Sequence, residues 1–362
     1  MHDVVVIGAG LSGLTAASQL QKWGYRVLVV DKSRGLGGRL ATRRRGATAI
    51  DHGCRYLQPF TEPDLSPMAT LQAAGVLQPW RPDCFALGAD GTLTAMPTEE
   101  YFAAPQGMSA VAKALAAGLT IHSHWRATAL TPLPEGWCIA GEPLGDGDPT
   151  TTLEARAVVL AIPAPQAMAL LEPAARHGAP SGAIPSGAID ELIQRLDAVA
   201  FEAVITVMAG YDPQISAVLP AQGGAAGWLV EGKTHPLMRW MALDSSKRAG
   251  AEEPVVVLHS SAAFAAANID RPDLETVGNE LLTAAAQLAA WLSTPAWMQV
   301  HRWRYGFVSR PLGWPVLRLP DLPTLVGCGD WCQGNNAEGA IAAGLEAARA
   351  IAPTLQRSNP TA

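Results

Sequence analysis

Residues 4–13 read Val-Val-Val-Ile-Gly-Ala-Gly-Leu-Ser-Gly, and this stretch commits the start of the chain to one supersecondary unit. Four consecutive apolar residues rich in β-branched side chains describe a strand buried on both faces, as in a parallel sheet. The G-x-G-x-x-G spacing of Gly8, Gly10 and Gly13 follows at once and opens a helical pattern through Leu14, Ala17 and Leu20. A second apolar strand then closes on Asp31. Strand, glycine turn, helix and strand within roughly thirty residues is the size of a βαβ unit.

Each residue type has a mechanical reason to be there. Gly8 permits the tight turn, Gly10 lets a pyrophosphate approach the backbone, and Gly13 allows helix and strand to pack closely. The amides of Leu11 and Ser12 open the helix, where N–H groups and the helix dipole favour an anion. Asp31, with Lys32 beside it, is placed to accept hydrogen bonds from a ribose, and the acid disfavours a 2′-phosphate there. A dinucleotide is expected, and the motif alone does not separate FAD from NAD.

The rest of the sequence bounds the class. With 362 residues and a formal net charge of −6, the chain is long enough for two domains and is no general polyanion binder. Nucleic acid is therefore not an expected partner. No apolar run reaches the ~18 residues of a membrane span, and no charged leader precedes the first strand. The five cysteines lack zinc-type pairing and the nearest two are spaced C-x3-C, so free thiols and a reducing, cytoplasmic setting are expected, with no metal.

Residues 58–105 read as less regular. A helix is predicted over 107–118, one or two antiparallel strands over 119–133, and a buried strand over 155–163. Beyond residue 164 the texture shifts to long alternating strands and a helical pattern over 272–292, with a surface loop at 177–188. The strand "LPTLVGCGD" finally delivers Asp330 to a helix carrying Ile341, Leu345 and Ala348 on one face. The predicted fold is α/β: a discontinuous Rossmann-type domain (1–60, 105–165 and 312–362) and a second α+β domain on a mainly antiparallel sheet (61–104 and 166–311).

Gly37-Gly38-Arg39 adds a flexible turn and a guanidinium near the same pyrophosphate, a task for which arginine's two-pronged fork is suited. Arg43, Arg44 and Arg45 read as a solvated charged face. At Asp330 a carboxylate stands at the start of the last helix, where it can hold hydroxyls of a ligand or simply cap the helix.

These motifs, with Asp51-x-Gly53 and "GCGDWCQGNNAEGAIAAGLEAA" (327–348), resemble the FAD-dependent amine-oxidase superfamily. "DKSRGLGGRLATRR", "DSSKRAG" and "HRWRYGFVSRP" resemble its renalase-like branch. The resemblance implies non-covalent FAD, with Ala127 and Ala129 near adenine. It places Gly329, Asp330, Gly339, Ala340 and Ile341 along the ribityl chain and pyrimidine edge, and puts His52, Gly53 and Cys54 under the ring. His52, Cys54 and Cys332 are the nominal candidates for a covalent link, each read as an ordinary packed residue. Relatives in this branch usually carry Ala-Gln where this chain has Cys54-Arg55.

The resemblance further implies an oxidase that takes a hydride from an isomeric dihydronicotinamide (2- or 6-dihydroNAD(P)) to flavin N5. The electrons would pass to O2 as hydrogen peroxide. Tyr56, Arg55, Trp240, His259, Trp303, Tyr305 and Trp331 are the residues expected around the substrate. His259 and His301 read individually as structural histidines, and Lys247 is either a surface residue or a substrate ligand. The competing readings are an amine oxidase or desaturase for an apolar or aryl substrate, and a non-catalytic flavin-binding protein. The oligomeric state is left open.

Overall fold

The computed structural model describes residues 1–62, 67–145, 149–177, 184–219, 227–334 and 336–355. Half of the expected surface loop, residues 178–183, lies outside them.

The first strand, His2–Ile7, forms the middle of a seven-stranded sheet. Val4 pairs in parallel with Val27 on one side and with Ala157 on the other. Val4, Val5 and Val6 are completely buried, as an apolar run without alternation requires when both faces are covered. The strand Leu325–Gly327 adds to the same sheet beside Val158–Leu160, again in parallel. The last helix, Ala337–Leu355, packs against the first, Leu11–Lys22, so the two chain ends build one layer. Trp125–Leu133 and Gly136–Pro143 extend the sheet as an antiparallel hairpin. Thr120–His122 is parallel to Val27–Val30, not antiparallel as its alternation suggested.

The second sheet also has seven strands. The long strands Trp297–Arg310 and Ala200–Gly210 pair antiparallel, followed by Val255–Ser260, Met238–Leu243 and Trp228–Glu231. The hairpin of Asp83–Leu87 and Leu93–Met96 completes it, joined through a parallel pairing with Trp228–Glu231. Side chains alternate across this sheet. Ile205, Val207 and Leu258 face a core shared with helices Ala262–Asn268 and Leu274–Ala285. Met208, Val257 and Trp240 face the other way, into a core that includes Ile50 and Tyr101.

Two expected boundaries change. Residues 58–105 are more regular than their composition suggested, holding helix Met68–Ala73 and four short strands. Helices Ala164–His177 and Ala188–Asp197 pack into the core around the first sheet through Leu171, Leu192 and Leu196, although residues from 166 on were expected with the second. An amphipathic helix announces that it buries a face but not which sheet it buries it against.

Candidate functional site

The carboxyl ends of the parallel strands gather the predicted nucleotide residues, the end where open α/β sheets bind ligands. Gly8 has φ +110°, a region closed to most side chains, and its N–H donates to Val30 O at 2.8 Å. A methyl group on Gly13 would lie 2.0 Å from Gly8 O, whereas one on Gly10 would meet nothing within 4 Å. Gly13 is thus fixed by packing inside the protein, and Gly10 by open space on its outer side. No side chain caps the helix beginning at Leu11, so its first amides remain available to an anion. Gly37 N–H donates to Ala9 O at 2.8 Å, laying the second glycine turn over the first. Asp31 is half-buried; its carboxylate accepts from Ala9 N and Ser33 N, both at 2.7 Å, which fixes it at the strand end. Lys32 beside it is exposed. Trp125 N–H donates to Asp31 O, so the strand carrying Ala127 and Ala129 starts at the same place, with a bulge between those two residues.

Arg39 links this cleft to the second half of the fold. Its guanidinium donates to Asp330 Oδ1 at 2.6 Å and to Gly306 O at 3.1 Å. Its own carbonyl accepts from Cys54 N at 2.6 Å, and a methyl group on Gly53 would lie 2.1 Å from that oxygen. Asp51–Tyr56 is therefore pinned directly beside Arg39. Gly329 is buried next to Asp330. At the last helix, Gly339 N–H donates to Asn336 Oδ1 and Ala340 N–H to Asn336 O, and Ile341 is buried one residue further on. The amides of Gly339 and Ala340 are thus engaged within their own helix terminus, a capping arrangement the sequence reading did not include.

Beneath Asp51–Tyr56 lies the inner face of the second sheet. Trp240, His259, Thr206 and His301 stand in one cross-strand row. Trp240 Nε1, Thr206 Oγ1 and the His259 ring nitrogens are buried without a hydrogen bond of normal geometry. Trp303 stacks on His52 with ring centroids 5.4 Å apart and donates from Nε1 to His52 O. Burial pushes the His52 imidazole down to about 3 and His259 well below its ordinary value, with His301 lowered as well. These rings are neutral at pH 7.

A buried ionic cluster holds the same segment from the side. Lys247 Nζ donates to Asp244 Oδ1 at 2.6 Å and to Arg55 O, and lies 3.6 Å from Asp51 Oδ2. Arg248 bonds both Asp244 and Asp51. Burial opposes the Asp244 charge, but Lys247 and Arg248 outweigh it and hold that carboxyl below its ordinary value, whereas burial pushes Asp51 up. Lys247 is 1% exposed, so it is not a surface residue.

Of the residues expected around the substrate, Arg55, Tyr56, Trp303 and Tyr305 are half-buried at the junction, joined by Phe307, which the sequence reading missed. Trp303 pairs with Val204 and Phe307 with Glu202, and residues 304–306 form an irregularity between them, so simple alternation does not carry from Trp303 to Phe307. Trp240 and His259 form a buried floor behind Asp51–Tyr56 instead of an open wall. Trp331 is a correction: it is 1% exposed, packs in the first core and donates from Nε1 to Ile162 O. A tryptophan beginning a glycine-rich turn reads as exposed only until its packing partners are known.

Burial pushes the Cys54 thiol up and Cys332 to about 12, so neither offers a thiolate for a covalent link. All five cysteines are free. Arg43, Arg44 and Arg45 lie on an exposed hairpin strand. A cavity of about 650 Å³ lined by Asp3, Arg26, Arg156 and Thr324 sits at the amino ends of the parallel strands, away from this cleft. Among the described residues, no His/Cys/Asp/Glu group is arranged to hold a metal, and no helix is long and apolar enough to cross a membrane.

The profile of an NAD(P)-binding Rossmann-like domain matches residues 6–70, and that of flavin containing amine oxidoreductases matches residues 80–352. The chain belongs to the flavin-containing amine oxidoreductase family. Flavin-containing amine oxidase A of Sus scrofa is 45% identical over 60 residues, which cover 16% of this chain and 11% of that protein. The curated relatives are matched over only about a tenth of their length. Over the whole fold, a putrescine oxidase solved with putrescine superposes with a TM-score of 0.68 at 15% identity, covering 97% of this chain and 98% of that one. Cyclohexylamine oxidase from Brevibacterium oxydans IH-35A gives 0.66 at 15% identity, covering 98% and 100%. At such identity these superpositions show the fold alone. The cofactor of the family is FAD, and the cleft fits it: open space over Gly10, an uncapped helix start, and carboxylates at Asp31 and Asp330.

Proposed function

We propose that this flavin-containing amine oxidoreductase is a cytoplasmic, renalase-like oxidase of a small planar substrate, an isomeric dihydronicotinamide such as 2- or 6-dihydroNAD(P). The observation that carries the reading is the half-buried aromatic edge of Tyr56, Trp303, Tyr305 and Phe307, which abuts the nucleotide cleft through Arg39 and Gly306. Aromatic faces of this kind bind a planar ring. The chemistry supplied by non-covalent FAD is acceptance of a hydride and delivery of the electrons to O2 as hydrogen peroxide.

The chain's own residues then position and desolvate. The glycine turns and helix start at Gly8–Gly13 hold the pyrophosphate, Asp31 the adenosine ribose and Asp330 the ribityl chain. Arg39 spans phosphate and ribityl ends. His52, Gly53 and Cys54 form the floor under the ring. No strong base is required for hydride removal, in keeping with neutral His52, His259 and His301 and with carboxylates of Asp51 and Asp244 that are already paired.

The family, and the aromatic edge itself, also support oxidation of an aryl amine as a second reading. Anaerobic stopped-flow spectroscopy separates the two. Rapid bleaching of the flavin by 2- or 6-dihydroNAD(P) is expected; bleaching by an amine while these fail would overturn the proposal.

A further inference from the structure

Arg55 is a cation at the junction left unanswered by the described residues. Its guanidinium lies 4.7 Å from the Trp240 ring centroid, 5.3 Å from that of Tyr56 and 6.0 Å from that of Phe307. Among the described residues no carboxylate pairs with it and no oxygen accepts a hydrogen bond from it.

The charges around it are matched. Lys247 and Arg248 are balanced by Asp244 and Asp51. Arg239 pairs with Glu202 at 2.8 Å, and Lys233 with Glu231 at 3.0 Å. One positive charge is left over, half-buried, beside the residues that border the nucleotide cleft. A guanidinium packed on aromatic faces keeps its N–H edges free, and the packing restricts its orientation. Such a fork matches two oxygens of a carboxylate or a phosphate. Phe307, one of its three rings, follows Gly306, whose carbonyl accepts from Arg39. The unanswered charge therefore stands where a substrate beside the cleft would meet it.

We propose that Arg55 is the specificity residue of this site and selects a planar substrate bearing a carboxylate or phosphate over an amine cation. This rests on the junction being the substrate site, as in the function proposed above, and narrows its substrate class. An organic cation would be repelled by Arg55 and would find no unpaired acid among the described residues around it.

Calorimetry on the FAD-loaded protein tests this with four probes of one ring size: benzoate, phenyl phosphate, benzamide and benzylamine. Benzoate or phenyl phosphate should bind at least tenfold more tightly than neutral benzamide, with benzylamine weakest. Whichever of the two anions binds better identifies the group the fork accepts. Arg55→Gln should bring anion and amide within about twofold, and Arg55→Lys should retain part of the preference. Equal binding of benzoate and benzamide to the unaltered protein overturns the proposal, as does an unchanged preference in Arg55→Gln. Should that variant misfold, the unaltered protein and Arg55→Lys still decide the matter. Heat of probe binding is read independently of flavin bleaching, so failure of every reducing substrate would count against the oxidase function alone.

Discussion

The guanidinium of Arg39 and the carboxylate of Asp330 meet at 2.6 Å although 291 positions separate them in the chain. Arg39 ends the second glycine turn and Asp330 ends the last strand's turn, so this pair ties the two contributions to the cofactor cleft together. Asp330 is 6% exposed, and losing its partner would leave a buried charge uncompensated. Arg39→Ala should weaken FAD binding at least tenfold, about 1.4 kcal/mol, as read by flavin fluorescence on dilution. Because Arg39 is a third exposed, the loss of apoprotein stability should be only about 1–3 kcal/mol. Wild-type FAD affinity in this variant would remove the pair from the cofactor site.

Gly10 and Gly13 should part company on substitution. Gly13→Ala places its methyl 2.0 Å from Gly8 O and should prevent a stable fold. Gly10→Ala has room in the protein alone. It should melt like wild type as apoprotein yet fail to take up FAD, because the methyl fills the space a pyrophosphate needs. Calorimetric melting followed by FAD titration distinguishes the two, and tight FAD binding by Gly10→Ala would contradict the assignment.

His52 predicts an acid-sensitive fold. Its imidazole titrates near 3 in the folded protein against an ordinary 6.5, so between those values the unfolded chain binds a proton that the folded one refuses. Stability is therefore fully present above about pH 6.5 and falls as pH drops toward 3, by up to about 1.4 kcal/mol per pH unit. Urea midpoints for wild type should drop more steeply from pH 7 to pH 5 than those of His52→Asn. Parallel slopes would show that His52 is accessible to protons in the folded state.

The ionic cluster under Asp51–Tyr56 should reveal itself in a double-mutant cycle. Lys247→Met leaves Asp244 and Asp51 with one cation between them and should cost about 3–5 kcal/mol. Combining it with Asp244→Leu should recover much of that loss, since the remaining Asp51–Arg248 pair is balanced. Strict additivity in urea unfolding would argue that the contacts are not coupled.

Two tryptophans expected at the site should respond differently. Trp303→Phe removes the N–H bond to His52 O and alters the aromatic edge, and should lower kcat/KM about tenfold, ~1.4 kcal/mol. Trp331→Phe leaves Ile162 O without its donor and should cost about 1–3 kcal/mol of stability while the folded fraction turns over normally. Melting curves and steady-state rates on the same preparations check both.

Local patterns announced what local physics determines. The buried strand, the glycine turn and Asp31 follow from residues within one supersecondary unit, and each lies where its spacing required. The pairing of Arg39 with Asp330, or of Lys247 with Asp51, is a product of topology, and no periodicity in either segment encodes its partner. Helices over 164–177 and 188–197 were placed with the wrong sheet for the same reason. Phe307 reaches the junction across an irregularity at residues 304–306, which no period-two pattern in the sequence encodes. Trp331 was misplaced because indoles suit both a substrate wall and a core, and only its contact with Ile162 separates those cases.

The first sheet takes its central strand from residues 2–7 and one of its parallel neighbours from residues 325–327. A chain synthesised from its amino end would therefore expose the nucleotide turn to the cell long before Asp330 and the closing helix left the ribosome. Because 291 positions separate Arg39 from Asp330, the cleft gains its second carboxylate only once two segments made far apart in time have folded against each other.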